Sequence, residues 1–239
     1  MDTNKRALII KNISREGPGL ILDVLSQRKF EYTIIDLSQN DKVLNLSNYS
    51  VLFVLGGPDS INDRSPKTLS LLRIIKEALE KNIAILGICL GLQALVEAAG
   101  GSVSKCVLKE IGLKDVNNDS FTIALTKEGK QDPLFKDLDD SFEVFQLHGE
   151  TVKRTDRMLQ LGNSKYCKNQ IVKVHPTAYG IQCHFELTNK MLSIWCDEDE
   201  SLQKLDKEKI MDEFEYISIY YTKIGITLIN NFLDISLTK

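Results

Sequence analysis

Apolar runs of four to six residues alternate with longer stretches of helical spacing through the N-terminal part of the chain. The runs fall near 7–10, 32–37, 51–55 and 83–88, and the helical stretches near 19–29 and 68–81. Strands that read as nearly continuous hydrophobic are buried on both faces, as in parallel sheets, and the helices between them supply the covering layers. We therefore expect an α/β fold built on an open, mostly parallel sheet with helices on both faces. Between about 102 and 161 the helical period disappears. Shorter strand-like pieces at 121–125 and 142–147 take over, which predicts a small antiparallel extension of the same domain. Further on, Ile210, Phe214, Ile217, Tyr221, Ile224, Leu228 and Phe232 recur at three- and four-residue steps. That spacing predicts an amphipathic helix over about 206–234 packed on the fold, although Gly225 weakens its propensity. The acidic run at 197–200 reads as a solvated loop before it. No linker, repeat or low-complexity tract interrupts the pattern, so residues 1–239 read as one domain.

The run at 83–88 leads straight into helical spacing, and Cys89 stands at the junction between Gly87 and Gly91. Two residues without Cβ atoms let the chain turn sharply and cross its neighbours closely, the backbone of a strand–turn–helix elbow. A thiol at a helix N-terminus is favoured as thiolate by the helix dipole and the free N–H groups, which can also hold an oxyanion. Inert packing is the ordinary fate of a cysteine in an apolar run. The flanking glycines and the strand-to-helix switch argue for a nucleophile here. Its base is sought among three histidines. His184 lies in a segment that reads as a short buried strand, and residues two apart on a strand share a face, which sets Glu186 beside it. Cys89 would attack, His184 would carry the proton and Glu186 would fix the imidazole tautomer. Cys183 then faces the opposite side, as core packing. His175, before Pro176, reads as an exposed residue in an extended loop.

Three motifs carry a resemblance: Leu55-Gly-Gly-Pro58, Gly87-Ile-Cys89-Leu-Gly-Leu-Gln93 and Gly180-Ile-Gln-Cys-His184-Phe-Glu186. In order and separation the chain resembles the class I, triad-type, glutamine amidotransferase family from about residue 7 to 195. Within that family, Lys109-Glu-Ile-Gly112, Asp132-Pro-Leu-Phe135 and Phe145-Gln-Leu-His-Gly-Glu150 are similar to stand-alone proteins related to the amidotransferase portion of GMP synthetase. The resemblance implies a flavodoxin-like fold and a reaction on L-glutamine. Cys89 would attack the side-chain amide, expel ammonia and leave a γ-glutamyl thioester for water to hydrolyse. The oxyanion would rest on the backbone N–H groups of Gly57 and Leu90. That assignment also stands on its own terms, because Leu90 follows the nucleophile at the helix start and Gly57 lies in a glycine pair after an apolar strand. Gln93, one helical turn beyond Cys89, would contact the glutamine. Leu147, Gly149 and Glu150 would grip its α-amino and α-carboxylate groups, with His148 ordering their loop. Two positions depart from the family pattern. Phe185 stands where many relatives have proline, and Glu150 where aspartate or serine is frequent, which bears on substrate recognition rather than on the chemistry.

Thirty Lys and Arg against 33 Asp and Glu give a formal net charge of −3. Without a basic cluster, no nucleic acid or anionic membrane surface is expected as a partner. No apolar run is long enough to span a bilayer, and no signal-peptide pattern is present, so a cytoplasmic protein is expected. Five cysteines without paired spacing fit a reducing compartment and predict no metal site. No glycine-rich phosphate loop or nucleotide signature follows the triad region. Hence no cofactor is expected, and the ammonia would pass to a separate synthase or acceptor chain. A γ-glutamyl conjugate hydrolase with the same triad is the alternative enzyme. A partner-gated regulatory or binding subunit is a further alternative, but it would more naturally have lost Cys89, His184 or Glu186. Cysteine hydrolases and chaperone-like proteins of related folds commonly carry histidine after the elbow cysteine, where this chain has Leu90.

Overall fold

The computed structural model describes residues 5–41 and 45–238; positions 1–4, 42–44 and 239 of the expected domain lie outside the described residues. The strands are β1 (Arg6–Lys11), β2 (Glu31–Asp36), β3 (Val51–Val54), β4 (Ala84–Ile88), β5 (Ser102–Gly112), β6 (Thr122–Leu125), β7 (Ser141–Glu143), β8 (Gln146–Lys153), β9 (Leu159–Asn163), β10 (Ile171–His175) and β11 (Ala178–Ile181). The helices are α1 (Leu20–Gln27), α2 (Pro66–Glu80), α3 (Leu90–Ala98), α4 (Lys127–Gln131), α5 (Asn189–Glu198) and α6 (Lys207–Leu237). Nine strands form one sheet in the order β2-β1-β3-β4-β11-β10-β9-β6-β7. Pairing is parallel from β2 to β11 and antiparallel from β11 to β7. The expected α/β fold with an antiparallel extension is therefore present, and the extension lengthens the parallel sheet at one edge.

Alternate residues of the central strands feed two cores. Ala7, Ile9, Val51, Phe53 and Leu86 face α1 and the C-terminal half of α6. Leu8, Ile10, Leu52, Val54 and Ile85 face α2 and α3. This is the physical reason for continuous apolar runs, since both sides of each strand are covered. The helix starts follow capping chemistry: Ser65 Oγ accepts from Thr68 N ahead of Pro66, and Asp206 Oδ1 accepts from Lys209 N at 3.1 Å to open α6. Gly225 does not break α6. A Cβ there would sit 2.4 Å from the carbonyl oxygen of Phe185, so glycine is what lets the helix lie on that loop. Among the described residues no helix is long and apolar enough to cross a membrane.

Several expectations need correction. The piece expected at 142–147 is two strands in different sheets. After β7, Val144 N still bonds Phe121 O at 2.9 Å, and the chain then leaves to pair β8 with β5 in a separate two-stranded ladder. His175 is exposed as expected but ends strand β10 rather than lying in a loop. The acidic run is not simply a solvated loop: Asp197 and Glu198 are the last residues of α5, and Asp199 pairs with Arg15 at 2.7 Å. Strand β11 ends at Ile181, so His184 and Glu186 stand on a turn, closed by Leu187 N bonding His184 O at 3.2 Å. The alternation survives without the strand, because Cys183 and Phe185 point into the core while His184 and Glu186 turn the other way.

Candidate active site

Strand β4 delivers the chain to Cys89, which has φ 51° and ψ −105° immediately before α3. A side-chain-bearing residue is held in such a conformation only where its surroundings over-determine it. They do so here. Cys89 N bonds Ile181 O at 2.8 Å on the neighbouring strand, and Gln93 N bonds Cys89 O at 3.1 Å as the first turn of α3. The two glycines are close-packing requirements: a Cβ on Gly87 would lie 2.4 Å from Gly91 O, and one on Gly91 would lie 2.1 Å from Val54 O. The thiol is 5% exposed, with Sγ 3.7 Å from the carbonyl oxygen of Leu147.

His184 is 1% exposed, and its Nδ1 lies 2.9 Å from Glu186 Oε1. With Nδ1 occupied, Nε2 is the nitrogen left free to serve the Cys89 thiol, which lines the same cavity. Burial opposes the charged imidazole, but the Glu186 carboxylate and Cys89 outweigh it and hold the His184 pKa well above its ordinary value. The turn is braced from three sides. Tyr221 on α6 donates its hydroxyl to His184 O at 2.6 Å, Trp195 on α5 meets the imidazole edge-on at 4.8 Å, and His184 N bonds Phe145 O.

The thiol and imidazole open into a cavity of about 420 Å³. Gly57 lines one wall, with Leu90 packed next to it: a Cβ on Gly57 would sit 3.2 Å from Leu90 Cδ2 and 2.8 Å from Asn12 Cβ. Leu90 is the first residue of α3, so its N–H has no acceptor within the helix. Gln93, buried rather than solvent-facing, reaches across with Nε2 3.4 Å from Glu150 O. Leu147, Gly149 and Glu150 line the opposite wall on β8, and Ser60 Oγ donates to the Glu150 carboxylate at 2.9 Å. The β5–β8 ladder slips between Lys105 and Glu110, which brings Lys105 and Lys109 to the cavity as cations. Of the residues singled out in the sequence for catalysis or glutamine contact, Gly57, Cys89, Gln93, Leu147, Gly149, Glu150 and His184 border this cavity, while Leu90 lies outside its lining beside Gly57, and Glu186 lies outside it against His184.

Sequence reasoning missed Glu16, Arg15, Asp199, Trp195 and Tyr221. Glu16 lines the cavity from the loop after β1. Burial pushes its carboxyl up to about 7, against the opposing pull of His184. Its signal, an acid next to Gly17-Pro-Gly19 at a strand end, was present but indistinguishable from turn punctuation. His148 orders its loop through Nδ1, 3.0 Å from Glu150 O, and Nε2 lies 2.9 Å from Glu110 Oε2. Among the described residues, the donors that could hold a metal are Glu110, His148 and Cys167, whose ligand atoms lie within 4.8 Å of one another. Glu110 is already served by Gln170 Nε2 at 3.1 Å and Ser164 Oγ at 3.3 Å, so the cluster is accounted for as a polar network.

An open α/β sheet that sets a cysteine on a strand–helix elbow against an imidazole–carboxylate pair has the construction of a thiol-dependent acyl-transfer enzyme. Comparison with known proteins narrows the class. Residues 19–193 match the family described as "Glutamine amidotransferase class-I", and the chain belongs to that family. It is 32% identical over 149 residues to the glutamine amidotransferase-like protein YfeJ of Salmonella typhimurium, covering 60% of this chain and 59% of that one. It is 27% identical over 187 residues to the glutamine-hydrolyzing GMP synthase of Borrelia garinii, covering 78% of this chain and 33% of that one. The chain therefore spans about three-fifths and one-third of these relatives. A glutamine amidotransferase from Thermotoga maritima superposes with a TM-score of 0.85 at 24% identity over 97% of this chain and 99% of that one, which establishes the fold.

Proposed function

We propose that this chain hydrolyses the side-chain amide of glutamine through a γ-glutamyl thioester on Cys89 and releases ammonia to a separate synthase or acceptor chain. The observation that carries the reading is the elbow at Cys89 facing the buried His184–Glu186 pair inside one cavity. In the first step the Cys89 thiolate attacks the amide carbon, and the N–H groups of Gly57 and Leu90 receive the charge on oxygen. The His184 imidazolium gives its proton to the amide nitrogen, the carbon–nitrogen bond breaks and ammonia leaves. His184, now neutral, takes a proton from water as it attacks the thioester, and collapse returns the thiolate with glutamate. Glu186 keeps Nδ1 protonated throughout. Gln93 and the β8 residues Leu147, Gly149 and Glu150 hold the α-substituents, with Lys105 and Lys109 at the same cavity. The domain is read as 1–239 with α6 packed on it. Cytoplasmic placement fits five cysteines that form no disulfide.

A second reading, hydrolysis of γ-glutamyl conjugates, is favoured by one feature: the cavity, at about 420 Å³, is lined by Arg15, Asp199 and Ser201 in addition to the glutamine-contact residues, room for a leaving group larger than ammonia. Glutamate release from L-glutamine by the wild type and Cys89→Ala, beside release from γ-glutamyl amines, tests both. Thiol-dependent release from glutamine supports the amidotransferase reading. A kcat/KM that favours the conjugates would replace it, and release that survives Cys89→Ala would remove the thioester.

A further inference from the structure

On its β5–β8 side the cavity carries charges that the chemistry at Cys89 does not use. Arg15 is taken up by Asp199 at 2.7 Å and Asp59 by Lys67 at 2.7 Å, whereas Lys105 and Lys109 line the cavity with no carboxylate partner among the described residues. The two lysines are placed differently. Lys105 stands directly opposite Glu150 in the β5–β8 ladder, so its field falls on that carboxylate. Lys109 lies across Gly149: a Cβ built on that glycine would meet Lys109 Cε at 3.1 Å and Cγ at 3.2 Å, so the glycine leaves the space that the lysine stem fills. The next residue anchors it. Glu110, 1% exposed, is held by His148 Nε2 at 2.9 Å, Gln170 Nε2 at 3.1 Å and Ser164 Oγ at 3.3 Å, and neighbours on a strand project to opposite sides. Fixing Glu110 inward turns Lys109 toward the cavity. The complementary charge there is Glu150, whose two carboxylate oxygens each lie 2.9 Å from Ser60 Oγ, a contact that holds the group and leaves lone pairs for a cation.

We propose that Lys109 and Glu150 clamp the free amino-acid end of the substrate, Lys109 taking the α-carboxylate and Glu150 the α-ammonium. The site then selects free glutamine or γ-glutamyl compounds and rejects glutamine whose α-groups are tied up in peptide or amide bonds. The assignment rests on the γ-glutamyl reading of the cavity, and the dimensions agree with it. Leu147 O marks the position of the thiol, 3.7 Å from Cys89 Sγ, and Gly149 lies two residues further along β8, about 6.6 Å at the rise of a strand. In glutamine four carbon–carbon bonds of about 1.5 Å run from the amide carbon to the α-carboxylate carbon, about 5 Å when extended. With its amide carbon at the sulfur, the substrate brings its α-carboxylate to the level of Gly149, where Lys109 crosses. The charge adds what backbone groups cannot. The N–H and C=O groups of β8 hydrogen-bond an α-amide as readily as an α-carboxylate, but only the carboxylate neutralises Lys109. Neither member of the clamp touches the reacting amide, so its effect falls on binding rather than on the thioester steps.

The test reads binding apart from turnover. Cys89 is labelled in the wild type, Lys109→Met, Lys109→Arg and Lys105→Met with three reagents: a chloroketone analogue of glutamine, the α-amide of that chloroketone, and iodoacetamide, which has no amino-acid end. KM and kcat for L-glutamine are measured beside them. In Lys109→Met the chloroketone concentration for half-maximal labelling should rise about tenfold, and Lys109→Arg should restore most of the loss. The α-amide should label the wild type and Lys109→Met alike, iodoacetamide should label all four proteins at one rate, and KM for glutamine should rise with kcat kept within about twofold. An unchanged half-saturating concentration in Lys109→Met would overturn the proposal. So would an equal loss on the α-amide or a parallel loss with iodoacetamide, which mark a structural role, and so would a carboxylate-selective loss in Lys105→Met in place of Lys109→Met. A wild type that shows the Lys109 dependence in labelling but releases no glutamate from glutamine would remove the glutaminase reading and leave the clamp standing as a γ-glutamyl site.

Discussion

Gly225→Ala should destabilise this protein and slow its chemistry, although the same change in the middle of an exposed helix normally stabilises. Replacing glycine by alanine inside a helix gains about 1 kcal/mol from propensity. Here the new Cβ would meet Phe185 O at 2.4 Å and Leu20 Cδ1 at 2.8 Å, where ordinary contact begins at 3.4 Å. The Leu20 methyl can rotate, but the carbonyl is backbone. The helix and the loop must therefore separate by about 1 Å, the difference between 3.4 and 2.4 Å. Overpacking of this kind costs about 1–3 kcal/mol, so the net effect is a loss of about 0–2 kcal/mol. The larger consequence falls on the site, because Phe185 lies between His184 and Glu186. Tyr221, four residues earlier on the same helix face, holds His184 O at 2.6 Å, so a shift of α6 moves both supports of the turn together. A displacement of about 1 Å in a catalytic group can cost 10²-fold in rate. Urea unfolding and glutaminase kcat of the purified variant decide the matter. A more stable protein with unchanged kcat would refute the account of α6 as the support of the His184 turn.

Three further outcomes are expected. Cys89→Gly should be more stable than Cys89→Ala by about 1–3 kcal/mol in thermal or urea unfolding, because glycine is at ease at φ 51° and alanine is not; the usual order, alanine above glycine, would show that the elbow is not strained. Tyr221→Phe leaves Phe145 N without its hydroxyl acceptor and His184 O with only the bond from Leu187 N, and should cost about 1–3 kcal/mol with a modest fall in kcat; a variant as stable as the wild type would remove the brace. Glu16 makes stability pH-dependent with a definite sign. Its pKa rises from 4.5 to about 7 on folding, so the unfolded chain loses its proton first, and stability falls as pH climbs from 4.5 through 7. That shift amounts to about 3 kcal/mol, and Glu16→Gln should gain this much over the wild type between pH 4.5 and 8. A gap that stays constant across this range would show that Glu16 is not buried as an acid.

The parts legible in the sequence were those governed by local periodicity. β1, β3 and β4 are buried on both faces and read as unbroken apolar runs, and α2 shows in the helical spacing at 68–81. The elbow was legible because both glycines it requires stand within two residues of Cys89 in the chain, although the contact that forces Gly91 comes from the distant carbonyl of Val54. What stayed hidden depends on distant partners. A helical stripe says that Tyr221 faces inward, but not that its hydroxyl ends on His184, 37 residues away. Trp195 and Arg15 are 180 residues apart, and the loop they fix is what aims Glu16. The turn at His184 was misread for the same reason: its residues alternate as a strand would, but the hydrogen bond from His184 N goes to Phe145 rather than to a ladder neighbour.

These observations explain why the amphipathic helix at the end of the chain is long. The site concentrates features that cost stability: a non-glycine residue at positive φ, a buried imidazole held charged and a buried carboxyl without a partner. All three sit at the carboxyl ends of the parallel strands, where the sheet itself offers no further backbone partners. α6 supplies compensation from both halves. Its C-terminal half buries Leu228, Ile229, Phe232 and Leu233 against the sheet, while its N-terminal half buries Phe214 and Tyr221 in the cluster around Trp195 and Phe145. At about 1.5–3 kcal/mol for each large apolar side chain buried, these six contacts exceed the cost of the strained elbow several times over. The helix thus serves the chemistry at one remove: Tyr221 and Gly225 hold the turn of His184 and Glu186 in place, and the apolar stripe on either side of them keeps the helix there to do it.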